Sequence, residues 1–136
     1  MTVTLPYVTA ATAGAILLLQ MILMIQVGRH RTRTETLLGE GSDPVLQRSI
    51  RAHANLAENA ALFLVALALI EMLGTPRLWM IVFGVTFVAA RIAHAIGLSR
   101  TEAPNASRFL GALGTLVVGV VVGCVLLWMG IRALIW

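Results

Sequence analysis

The sequence predicts an all-α integral membrane protein, a four-transmembrane-helix up-down bundle. Composition is the first ground. Of 136 residues, 59% are hydrophobic and only 12% are charged, about half the charged fraction of an ordinary soluble domain. The mean hydropathy is +0.91. The second ground is the layout: long apolar runs alternate with short segments that hold glycine, proline and arginine. The chain is expected to form a single membrane domain over residues 1–136, with spans near 4–27, 44–73, 77–98 and 108–132.

Each span has its own justification. The first, from Thr4 to Val27, carries no charge. Its start lacks a positive n-region and no cleavage pattern follows it, so it reads as a retained helix rather than a signal peptide. The second is apolar from Leu56 to Leu73 apart from Glu58 and Glu71, but its helix is expected to begin outside the hydrocarbon. Ser42-Asp43-Pro44 is a helix start, with Asp43 as cap and Pro44 in the first turn. Gly39, Gly41 and Ser42 loosen the loop before it. Gly74-Thr75-Pro76 is a tight turn into the third span, which Arg91 and His94 interrupt late. Pro104 and Asn105 mark the last loop, and Phe109 to Ile131 carries no charge.

All ten basic residues are arginine, and the net charge is +4. The first loop holds Arg29, Arg31, Arg33 and Arg48, and the third holds Arg100 and Arg108. Only Arg77 and Arg132 fall on the other side. The positive-inside rule therefore places the first and third loops in the cytoplasm and both termini opposite. The arginines gather at helix ends, not on a soluble basic face, so nucleic acid is not an expected partner.

Arg48, Arg51, Asn55 and Glu58 follow one another at steps of three, four and three, which sets them on one helical face. Ionisable groups at membrane depth are costly, and usually pair or line a polar cavity. Counted at 1.5 Å per residue, Glu58 and Arg91 both stand roughly 21–22 Å above the non-cytoplasmic side. His94 lies one turn above Arg91. Arg29, Arg51 and Arg108 fall in the headgroup zone. The expectation is a ring of arginines over a deeper cluster of Asn55, Glu58, Arg91 and His94, open to the cytoplasm. The plainer readings are lipid-snorkelling arginines, a structural Glu58–Arg91 ion pair and a core histidine at 94.

Other residues carry blander expectations. Cys124 is read as a small apolar packing residue, and Glu71 as a partner of Arg77 or of water. His53 is read as structural. No metal is expected, because His53 and His94 lack zinc-helix spacing. Gly111, Thr115, Gly119 and Gly123, at steps of four, read as a close-packing seam within or between subunits.

The run Ser42-Asp43-Pro44, then Arg48-x-x-Arg51-Ala52-His53-x-Asn55-x-x-Glu58, resembles the signature of the membrane-associated proteins in eicosanoid and glutathione metabolism, the MAPEG family. Arg91-x-x-His94 resembles the family's second motif, and the length is similar to that of its small bacterial, microsomal-glutathione-transferase-like members. The resemblance covers nearly the whole chain. It implies a homotrimer with glutathione bound between subunits near the cytoplasmic face of a bacterial inner membrane. It implies that Arg48, Arg51, Asn55, Glu58, Arg91 and His94 hold glutathione, and that Arg29 reaches it from the adjacent subunit. Arg108, with Arg100 as the alternative, would attend the thiol as the catalytic group. This chain departs from the family pattern at Gln47, Asn59 and Leu98, where members carry glutamate, an aromatic residue and tyrosine.

The chemistry agrees with that implication. Glutathione brings two carboxylates, an ammonium and a thiol. Guanidiniums fork onto carboxylates, a carboxylate takes the ammonium, and a nearby guanidinium favours the thiolate. The expected function is membrane-bound transfer of glutathione to lipophilic electrophiles from the surrounding lipid, with reduction of lipid hydroperoxides as a side activity. The alternative is a non-catalytic lipid- or thiol-binding protein of the same fold. A small transporter or channel subunit ranks last, because the first and last spans are almost wholly apolar.

Overall fold

A computed structural model describes residues 4–100, 103 and 105–135; Pro104, expected within the last loop, lies outside them. The chain forms four helices: α1 (Tyr7–Arg33), α2 (Pro44–Met72), α3 (Arg77–Arg100) and α4 (Ala106–Ile135). Each is long and apolar enough to cross a membrane. At 1.5 Å per residue they run from about 36 to 45 Å, beyond a hydrocarbon core of about 30 Å. Successive helices alternate in direction. Among the described residues α1 and α4 do not touch, so α2 and α3 form the centre of the bundle.

The helix ends follow from local chemistry. Asp43 caps α2 by accepting the Leu46 N–H at 2.7 Å, and Pro44 is the first helical residue. This bond, ahead of the smaller effect of nearby Arg33, holds the Asp43 carboxyl below its usual range. Asn105 caps α4 by accepting the Arg108 N–H at 2.9 Å, which starts that helix at Ala106. The C-termini of α1 and α2 close the same way. In α2, Gly74 (φ 91°) donates to the Glu71 carbonyl and Thr75 to that of Ile70. In α1, Glu35 (φ 53°) donates to Thr32 and Thr36 to Arg31. Both are Schellman closures, whose left-handed residue is usually glycine. Glu35 fills that place in α1, and the helix runs on to Arg33, well past Val27.

Glycine sets the closest helix approaches. A Cβ added at Gly111 would lie 2.5 Å from the His94 nitrogen, and one at Gly97 would lie 2.5 Å from the Arg108 nitrogen. At Gly84 it would strike the Thr12 hydroxyl. The seam expected along α4 is therefore divided. Gly111 packs against α3, whereas added Cβ atoms at Gly119 and Gly123 meet nothing within 4 Å. Leu67, Ile70 and Met80 form a fully buried core toward the end opposite the arginine-rich loops, and Phe63 stacks on Phe87 at 3.8 Å.

Two expectations are corrected. Glu71 neither pairs with Arg77 nor faces water; it is 5% exposed. Its carboxylate accepts the backbone N–H groups of Val8 and Thr9 at 2.9 and 2.8 Å and the Thr9 hydroxyl at 2.7 Å. The N-terminus of α1 has no side-chain cap of its own, because Pro6 occupies the cap position. Glu71 supplies the missing acceptors from the neighbouring helix and lies at the positive end of α1. Cys124 is exposed on α4 rather than packed inside.

Candidate functional site

α2, α3 and α4 line a cleft of about 650 Å³, within the usual size of ligand sites. Asn55 and Glu58 from α2 and Arg91 and His94 from α3 line its upper part. Phe63, Phe87 and aliphatic residues of α2 and α4 line the part below.

Arg91 is the central group. It is 3% exposed, and Nη1 donates to the Asn55 side-chain oxygen at 2.6 Å while Nη2 donates to the Gly111 carbonyl at 3.2 Å. Its Nε–H is buried and has no hydrogen-bond partner among the described residues. The glycine at 111 makes this arrangement possible, since a side chain there would push α4 off α3 and take its carbonyl away from the guanidinium. Asn55 is held in turn within its helix, where Asn59 donates to its backbone carbonyl at 2.7 Å.

His94 lies 3.1 Å through Nδ1 from the Arg108 carbonyl. A carbonyl only accepts, so Nδ1 carries the proton and Nε2 is the acceptor of the neutral ring. Ser107 donates to the Ala93 carbonyl at 2.8 Å, and Asn105 to that of Gly97 at 2.9 Å. These bonds lock the start of α4 onto α3 and fix the height of Arg91 and His94 relative to α4.

The structure thus brings four of the nine residues singled out in the sequence onto one cleft: Asn55, Glu58, Arg91 and His94. A direct Glu58–Arg91 pair does not form. Glu58 pairs instead with Arg51, two turns away on α2, at 3.6 Å. Those side chains are 54% and 63% exposed, so the pair contributes little to stability and both groups stay available to a ligand. Arg48 is half-buried on the same helix. Arg29, Arg100 and Arg108 are exposed and do not line the cleft. Leu98 is buried in the apolar core, so that position packs the bundle and presents nothing to the cleft. Among the described residues no group of three or more His, Cys, Asp or Glu is arranged to hold a metal ion.

Sequence reasoning missed Thr115, Asn59 and the stacked phenylalanines as cleft residues. It also missed the Gly111 carbonyl, which carries no residue-type signal as an acceptor. Asn59 and Phe63 lie one and two turns below Asn55 on α2, so the helical period could have placed both.

A bundle of four helices, each long and apolar enough to cross a membrane, with a buried guanidinium in the upper wall of a largely apolar cleft, is the architecture of an integral membrane protein. The chain belongs to the MAPEG family, whose model matches residues 9–134. No curated protein matches the chain. Membership supports, at the level of the family, a membrane function of the glutathione-transferase or eicosanoid type.

Proposed function

We propose that this protein is a membrane-bound glutathione transferase that conjugates the glutathione thiolate to lipophilic electrophiles and also reduces lipid hydroperoxides. One observation carries the reading. Arg91 is buried, its two terminal nitrogens donate only to neutral acceptors, and it lines a cleft together with Asn55, Glu58 and His94. A buried cation without a carboxylate partner favours an anionic ligand.

In this reading Arg91 and Arg51 take the glutathione carboxylates, Glu58 takes the ammonium, and His94 and Asn55 fix the peptide. Arg48 adds positive potential on the same face. Arg108, with Arg100 as the alternative, favours the thiolate. The sulfur attacks an electrophilic carbon, the S–C bond forms, and the leaving group departs with its electron pair. With a hydroperoxide, two glutathiones yield the disulfide, an alcohol and water. The working assembly is a homotrimer in a bacterial inner membrane. The site faces the cytoplasm, the termini lie opposite, and Arg29 of a neighbouring subunit closes the site.

Turnover of glutathione with chlorodinitrobenzene in detergent tests the proposal. The Arg108→Ala variant is expected to lose conjugation while keeping its oligomeric mass, and Arg51→Ala is expected to raise the KM for glutathione. Glutathione binding without turnover would reduce the protein to a ligand-binding member of the fold. Neither binding nor turnover would end the reading.

A further inference from the structure

Two leucines stand in the open where no span carries them. Leu37 and Leu38, in the loop between α1 and α2, are 89% and 88% exposed. Exposed apolar side chains along the helices have a bilayer to cover them. The loop pair has no such cover from its own position in the sequence, and Leu46, just inside α2, shows that the bundle does bury a leucine here. Nor is the pair on a loose tether. Glu35 turns the chain back at φ 53°, and Thr36 donates to the Arg31 carbonyl. Arg31 Nη1 donates in return to the carbonyls of Thr36 and Leu37, at 3.3 and 3.4 Å. At the far end of the loop Gln47 donates to the Gly41 carbonyl at 2.8 Å, and Arg33 pairs with Asp43 at 3.6 Å.

The bonds of Glu71 give the height of this loop. They set Glu71 of α2 level with Val8 and Thr9 at the start of α1. Counted along the two helices from that level, Arg29 and Arg51 both stand about 30 Å up, the thickness of a hydrocarbon core. Arg31 and Arg33 fall about 3 and 6 Å beyond that edge, within the headgroup layer. Because Arg31 holds the Leu37 carbonyl, the leucine pair is tied to the same layer. Arg31 also lies about 80° around α1 from the buried Leu23. The loop it holds therefore leaves over the flank of the helix, not over the bundle axis. Lipid phosphates suit the exposed guanidiniums of Arg29 and Arg33, and the acyl boundary suits two aliphatic side chains. Ser42, by contrast, stands about 43 Å above Glu71, beyond the headgroups.

We propose that the loop between α1 and α2 is a shallow membrane anchor. Leu37 and Leu38 enter the boundary between headgroups and acyl chains of the adjoining leaflet, and Arg29 and Arg33 meet the phosphates beside them. The partner is the lipid surface itself. The driving force is removal of two large apolar side chains from water, and the pinned loop loses little further freedom on entering. Through the Arg33–Asp43 pair the anchor braces the end of α1 against the start of α2, about two turns above Arg51. It is independent of what the cleft binds.

The test is a depth measurement on the full-length protein in vesicles of phosphatidylcholine and phosphatidylglycerol. Cys124, the single cysteine, is exposed and is first removed as Cys124→Ser. Leu37→Cys, Leu38→Cys and Ser42→Cys then each receive a nitroxide. All three positions are exposed in the loop, so none of these changes disturbs the packed bundle. Power saturation compares collisions with oxygen, which concentrates among acyl chains, and with a nickel chelate that stays in water. The labels at positions 37 and 38 are expected about 5–10 Å below the phosphates, and the label at position 42 in water. Adding Leu37→Asn should lift the label at position 38 toward the nickel chelate. Nickel access at 37 and 38 equal to that at 42 would overturn the proposal. A label at 38 that stays at the same depth beside Leu37→Asn would show the nitroxide, not the leucines, seeking the lipid, and would overturn it too. Shielding from both reagents with dipolar broadening between labels would assign the pair to a contact with a second copy, and the lipid anchor would fall.

Discussion

Among the described residues two ionisable side chains are buried, Glu71 and Arg91, and they lie toward opposite ends of the bundle. Glu71 has its needs met by protein: two backbone N–H groups and a hydroxyl converge on one carboxylate. Arg91 is served by two neutral oxygens, keeps a donor in reserve and borders the cleft. The first arrangement is closed and anchors a helix. The second sets a buried cation against neutral groups alone, and in the proposed reading an anionic ligand completes it. Burial of a charge alone does not separate structure from function; the balance of its hydrogen bonds does.

Substitution at both places tests that contrast. Glu71→Leu should cost about 3 kcal/mol, because it strips the acceptors from the buried start of α1. Thermal unfolding in detergent would show the loss, and limited proteolysis should cut first in α1. Arg91→Leu should cost distinctly less stability, since one donor is already unmet. Equal losses at the two sites would erase the distinction.

Gly111→Ala sharpens the comparison from the other side. The new methyl group meets the backbone of α3, and overpacking of this kind costs about 1–3 kcal/mol. It should also weaken ligand affinity by shifting the carbonyl that holds Arg91. Destabilisation with affinity untouched would detach the α3–α4 contact from the site.

Smaller effects are expected at the helix ends, away from both charges. The folded-state carboxyl of Asp43 lies below its usual 3.8. Its contribution is therefore fully present above 3.8 and is lost as pH falls through the lower folded-state value. The melting temperature should drop in acid more for the unsubstituted protein than for Asp43→Asn, which caps without titrating. Parallel acid profiles would remove Asp43 from that dependence. Glu35→Gly relieves a left-handed residue and should stabilise the protein by up to about 1 kcal/mol, read as a higher melting temperature.

Much of the architecture was legible. Long, largely apolar runs gave the four spans, and Asp43-Pro44 gave the start of α2, because caps and hydropathy act locally. Counting along helices was enough to bring Arg91 level with the α2 stripe. It could not choose between Asn55 and Glu58 as the partner, since a guanidinium on a long stem reaches a full turn either way. The partners of Glu71 were invisible for another reason. They are backbone groups of a helix more than sixty residues away, and no side-chain pattern announces them. The same holds for Gly84 and Gly97, single glycines whose need arises only from the crossing of helices. The repeating steps from Gly111 to Gly123 looked uniform in sequence and proved to be two features, a close contact with α3 above and glycines that meet nothing within 4 Å below.

The central claim is that Arg91 is left incomplete for a small anionic thiol peptide. Calorimetric titration of the purified protein and of Arg91→Leu with glutathione tests it most directly. The account predicts saturable binding to the former and at least about tenfold weaker binding to the latter, a difference of about 1.4 kcal/mol. Equal affinity in a folded Arg91→Leu protein would contradict it.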